Sequence, residues 1–406
     1  MPKLVTIFRY VAIAIVVFVF IGLGWWYFFL RSQGSAIQAA DAGRGIGTSA
    51  PSFGSAIGST YNNIVSTITR TSSDSTSKKA QRLTEISKTP TAGFGFATVA
   101  SSSVLRFVER STGNVIDYDM SEGNLTRVSN TLVPRVYEAL VARDGKIIDR
   151  TIDDSGEIQT FSATIQTDAG SSSPGTLVQN KLPPGIRSIA FDATGKELAY
   201  MLASNGGVGV RALWDGTKPK QIFSSGISGW QLTWLRDGRI VLVQHPTDGV
   251  TGYSYTVQPD GSLLPLASAA GLTLEPRTSP GAYLYGTSGT ALSLFAKISP
   301  QTPAVSLPIK TTADKCVWSP GNQLIAFCAV PQRPAGPNFL DASHRGEVHT
   351  ADSWWRVDAS AGSAQILYSP GTAELDALNP MVDDGGTYIA FMNASDKSLW
   401  LLRLAE

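Results

Sequence analysis

Apolar and polar positions along this chain return in one unit. A short apolar strand is followed by a tight polar turn, then a second apolar strand ending in an aromatic or aliphatic pair. The plainest copies are SIAFDATGKELAYM (188–201), LTWLRDGRIVLV (232–243), CVWSPGNQLIAF (316–327) and VDDGGTYIAFM (382–392). Runs such as LIAF and YIAFM are too short for a packed helix. Their lack of alternation predicts strands buried on both faces. The turns carry Gly, Asn and Asp, which tolerate the positive φ of tight hairpins.

Aligned on the last turn residue, the anchors are Gly195, Gly238, Gly281, Asn322 and Gly386, with weaker copies at Ser103 and Gly145. Most intervals fall near 42 residues, and hairpin chemistry at that period is the signature of β-propeller blades. The pattern predicts an all-β, seven-bladed propeller over residues 91–406. The blades are expected at 103–130 and 133–152 for the first two hairpin sets, then 183–225, 226–268, 269–310, 311–370 and 371–406. Blade seven shows three strands. PTAGFGFATVA (90–100) is expected to supply its fourth, closing the ring with strands from both ends of the domain and removing the open edge.

Ahead of the repeats, Tyr10–Leu30 holds no charged residue. Its length suits a helix spanning a roughly 30 Å hydrocarbon core. Lys3 and Arg9 precede it, Arg31 follows, and Trp25, Trp26 and Tyr27 sit at its outer end. The positive-inside rule and the aromatic belt then place residues 1–9 in the cytoplasm and everything after Arg31 outside, periplasmic or extracellular. A cleaved secretion signal is the competing reading. The apolar run exceeds a usual signal core and no A-x-A site follows, which favours an uncleaved anchor.

Residues 31–90 are rich in Ser, Thr, Gly and Ala and read as a flexible linker. Ile57, Tyr61, Ile64, Val65 and Ile68 recur at helical spacing within it, so a short amphipathic helix is the alternative there.

Net charge is +1 and charged residues make up 16% of the chain, so no basic field recruits nucleic acid. No G-x-S-x-G elbow and no G-x-x-x-x-G-K-[ST] loop occurs, which leaves hydrolase and nucleotide chemistry without motif support. The two cysteines, Cys316 and Cys328, flank one hairpin. Outside the cytoplasm they are expected to form a disulfide, two buried thiols being the other reading.

The sixth blade departs from the period through an insertion, PQRPAGPNFLDASHRGEVHTADSWW (331–355). Long loops on rigid frames often carry recognition. Phe339, His344, Glu347, His349 and Trp354 are the candidate partner-binding residues. Trp354 and Trp355 can instead open the next strand and pack between blades. His344 and His349 with Asp341, Glu347 and Asp352 offer metal-ligand chemistry at a spacing that matches no standard site, so no metal and no cofactor is expected.

WSPGNQLIAF (318–327) and FDATGKELAY (191–200) resemble the TolB-like and WD40-like β-propeller repeats, whose common form is W-S-P-D-G-K-x-I-A-F. The resemblance covers about 310 residues; Asn322 stands where the repeat has Gly, and the fifth copy lacks the aromatic. It implies a propeller and says little about activity. The expectation is a membrane-anchored, extracytoplasmic protein-interaction scaffold in a cell-envelope assembly, not an enzyme. A carbohydrate- or small-molecule-binding propeller is the alternative, and an enzyme is the least supported reading.

Overall fold

The computed structural model describes residues 81–404 apart from 100, 101, 168–172, 205, 279, 280 and 290. The expected membrane span, Tyr10–Leu30, and the short helix at 57–68 lie outside these residues. Among the described residues no helix is long and apolar enough to cross a membrane.

Seven four-stranded antiparallel sheets follow one another along the chain. Blade one is Thr91–Val99, Ser102–Glu109, Val115–Asp119 and Leu125–Arg127, and blade six is Cys316–Trp318, Ile325–Pro331, Asp352–Asp358 and Ser363–Tyr368. The first strands of blades one and two, three and four, six and seven, and seven and one touch, so the first strands line the axis of a seven-bladed propeller.

Blade seven takes Ala377–Val382, Tyr388–Asn393 and Leu399–Arg403 from the C-terminal end and its outer strand from Leu83–Ser87, which pairs with Leu399–Arg403. Closure by strands from both ends therefore holds, but with a different segment. The stretch expected to close the ring, 90–100, is the innermost strand of blade one instead. Its two glycines explain the assignment. A Cβ at Gly93 would collide with the Ala139 carbonyl oxygen of blade two, so this strand suits the crowded axis and not the open rim. Ser103 likewise lies within a strand, not at a turn.

The continuous apolar runs are explained by seven buried clusters, one in each gap between neighbouring blades. In Tyr388–Asn393, Ile389 and Phe391 pack toward blade six while Ala390 and Met392 pack toward blade one. In Ile325–Pro331, Phe327 and Ala329 face blade seven while Ala326 and Cys328 face blade five. Period-2 alternation is present in direction but invisible in polarity, because both faces are buried.

The hairpins repeat one device. The Asp192 carboxylate accepts from the backbone N–H of Thr194 and of Glu197, at 3.1 and 2.9 Å, and Gly195 follows at φ 71°. Asp153, Asp260 and Asp358 close their turns on a serine in the same way. Where a carboxylate accepts several such bonds its ionised form is favoured, and the Asp153 carboxyl is held down to about 2 by Ser155, Glu157 and Gln159.

Cys316 and Cys328 lie directly opposite in the ladder, with Cα atoms 4.0 Å apart, and form a disulfide. That separation fits the closer, non-hydrogen-bonded kind of antiparallel pair.

Candidate functional site at the blade-six insertion

Pro331 and Asp352 are ladder partners, so the chain leaves and re-enters blade six at one level. The insertion is thus the connection between the second and third strands. It shares a face of the ring with the links between blades, and the first-to-second hairpins lie on the opposite face.

Its far end is a six-residue helix, Phe339–His344, entered through Asn338 at φ 56°. Phe339 and Leu340 are buried against Leu292 of blade five. The helix has no side-chain cap of its own. Asp248, in blade four, supplies one from outside: its Oδ2 accepts from the Asp341 backbone N–H at 3.0 Å, and its Oδ1 accepts from the Ser288 hydroxyl. Beside this contact the His344 and His245 rings lie 4.3 Å apart, centroid to centroid. Desolvation of the covered part of His344, then the neighbouring imidazole, hold it below the ordinary range, against the pull of Asp314, Asp341 and Asp248.

The returning limb is tied to the seam between blades six and seven. Lys315, buried where the chain enters blade six, donates from Nζ to Asp376 Oδ1 at 2.5 Å, Asp352 Oδ2 at 2.6 Å and the Thr350 hydroxyl at 2.7 Å. Those three bonds use every donor an ammonium has. Thr350 Oγ1 donates to Asp376 Oδ1, and His349 Nδ1 lies 3.1 Å from Asp376 Oδ2. Asp352 Oδ2 also accepts from the Ala377 backbone N–H. Burial alone would lower the Lys315 pKa, but Asp352 and Asp376 outweigh it and the result is raised. Burial alone would raise Asp376, but Lys315 outweighs it and the carboxyl sits below its usual range.

Between the two limbs lies a pocket of about 460 Å³, walled by residues such as Pro334, Phe339 and Val348 and floored by His349 and Asp376. The size falls within the range of small-ligand sites.

The sequence candidates separate accordingly. Phe339 is 5% and Trp354 2% exposed, so neither is offered at the surface as an anchor. Phe339 pins the helix, and Trp354 packs on Phe391 between blades six and seven. Both tryptophans do open the next strand, and Trp355 packs toward blade five. Glu347 is exposed and forks with Arg345 at 2.7 and 2.8 Å. His344 and His349 are not brought together: one meets blade four, the other blade seven. Among the described residues no group of three or more His, Cys, Asp or Glu is placed to hold a metal. Sequence reasoning missed Lys315 and Asp376, whose partnership spans 61 positions. The one available signal was a lysine directly before the apolar strand Cys316–Trp318.

Asn393, one of two glycosylation-like triplets, is 4% exposed and accepts from the Asp376 N–H, whereas Asn124 is exposed in a hairpin turn. On the opposite face Asp384 of blade seven takes Arg143 of blade two and Arg236 of blade four. These blades are not neighbours, so the three side chains meet over the ring axis.

No family model and no curated protein matches this sequence. Solved structures with a similar fold include virginiamycin B lyase from Staphylococcus aureus, at 13% identity and TM-score 0.49, covering 80% of this chain and 99% of that one. The Pan2 WD40 domain of Neurospora crassa is 12% identical with TM-score 0.47, covering 80% and 98%. U3-55K is 11% identical with TM-score 0.48, covering 80% and 99%. At these identities and TM-scores the likenesses carry no argument about what this chain does.

Proposed function

We propose that this chain is a TolB-like propeller, held to a membrane by Tyr10–Leu30 and displayed outside the cytoplasm, that serves as a protein-interaction scaffold in a cell-envelope assembly. The observation that carries the reading is the insertion, fixed at both ends on a rigid ring: through Asp248 at one end and through Lys315 and Asp376 at the other. A loop so anchored loses little further entropy on binding, which favours recognition. Its outward side offers Arg345 and Glu347, both exposed. The Cys316–Cys328 bridge supports an oxidising compartment, where such bonds persist. The reading is non-enzymatic.

The pocket favours a second reading, ligand capture, with the site beneath the insertion and not in the central channel.

In-cell cross-linking followed by mass spectrometry tests the scaffold. The native chain is compared with a surface variant carrying Arg345→Glu and Glu347→Arg, which leaves the buried anchors and the pocket intact. A defined envelope partner lost in the variant supports the reading. An identical set of partners in both forms removes the insertion from it.

A further inference from the structure

We propose that the pocket beneath the insertion receives a primary ammonium group carried on an aliphatic stem. This deepens the scaffold reading and rests on it, naming the partner chemistry that the insertion would recognise.

Three features of the pocket select a cation. Asp376 Oδ2 faces His349 Nδ1, and an ionised carboxylate only accepts, so the ring proton sits on Nδ1. Nε2 is at the opposite edge of a side chain that is 39% exposed and lines the pocket. In the neutral imidazole it accepts a hydrogen bond from whatever enters.

The second feature is charge. Asp352 and Asp376 share one ammonium, that of Lys315, so these three groups together carry one negative charge, with Lys397 attracted to Asp376 from further off, and Asp376 stands in the pocket floor. Glu374 adds a carboxylate at the rim, where Arg333 stays 87% exposed and no closer than 4.0 Å. An entering anion would meet two carboxylates. An entering ammonium finds acceptors in His349 Nε2, Glu374 and the Ser395 hydroxyl.

The third feature is the walls. Pro331, Pro334, Ala335 and Val348 offer aliphatic surface to a methylene stem. Lys315 cannot be the occupant, because its three donors are spent below the floor.

A lysine side chain of a protein partner and a free diamine share this chemistry. Ligand-observed NMR on the full-length chain in detergent distinguishes them with four probes: N-acetyl-lysine methylamide, 1,5-diaminopentane, the uncharged N-acetyl-norleucine methylamide, and glutarate. At least one amine is expected to bind while the norleucine probe and glutarate do not. Glu374→Gln, at an exposed position that leaves folding alone, and His349→Phe should each weaken the amine about fivefold, the size of one lost hydrogen bond. Preference for the lysine derivative assigns a protein partner; preference for the diamine assigns a free amine. Equal binding of norleucine and lysine derivatives, or unchanged binding in both variants, or no amine binding at all, overturns the proposal. A cross-linked partner that persists alongside silent amines leaves the scaffold standing and moves its contact off the pocket.

Discussion

Lys315 Nζ sits 2.5 Å from Asp376 Oδ1, joining the entry of blade six to the entry of blade seven through a contact shut away from water. Taking an ammonium out of water is costly, and only the paired carboxylates offset it. Removing one partner strands the other charges. Lys315→Met is expected to destabilise the chain by about 3–5 kcal/mol, read by chemical denaturation. Adding Asp352→Asn and Asp376→Asn to that variant should recover part of the loss. No recovery would mean that the lysine acts through packing alone.

His344 gives the insertion a pH dependence of definite sign. Its docked pKa lies below the ordinary 6.5, so the undocked helix binds more protons as pH falls. Docking is fully favourable above that value and weakens as pH falls through it. Asp376, held below 3.8, contributes its stability above that value and loses it only at much lower pH. Hydrogen exchange at 339–345, corrected for intrinsic rates, should therefore quicken between pH 7.5 and 5. His344→Phe should flatten that response.

Asp149 of blade two should respond with the opposite sign. It is 1% exposed, burial pushes its carboxyl up to about 6 against the help of Gln179, and Oδ1 has no hydrogen-bond partner. The folded chain holds this proton more tightly than the unfolded one, so the contribution is lost as pH rises through 6. Asp149→Asn is expected to raise stability at pH 8 by about 1–3 kcal/mol and by about half as much at pH 5. Thermal midpoints at both pH values check this.

The closing strand makes a further test. A chain starting at residue 89 lacks Leu83–Ser87 and bares the edge of Leu399–Arg403. It should self-associate on size exclusion, whereas a chain starting at residue 81 should remain dispersed.

The blades were legible in the sequence because each uses the same turn chemistry and the same doubly buried strands. The Cys316–Cys328 pairing was legible for the same reason, since a hairpin fixes its own register. Ring closure was harder. TAGFGFATV and LTEIS both read as strands, and only the glycine clearance at the axis, a property of blade two, separates inner from outer. The insertion's two tryptophans were legible as strand and core residues; Phe339, read only as a partner anchor, is instead buried at the start of a short helix. Its chemistry was legible only as single residues, His349 and Asp352: they gather with Lys315 and Asp376 because two blades meet, and no spacing records that meeting. The same holds for His245 and His344, drawn together across blade five.

The outer strand of blade seven also fixes how the ring carries load. Tension along the residues before 81 enters at Leu83, which is paired with Leu402 near the other end of the domain. Pulled away from the rim, that strand unzips one ladder pair at a time, from Leu83 toward Ser87, instead of shearing all at once. The propeller's mechanical fuse is thus its own closure, and it lies next to the seam that the buried lysine holds shut.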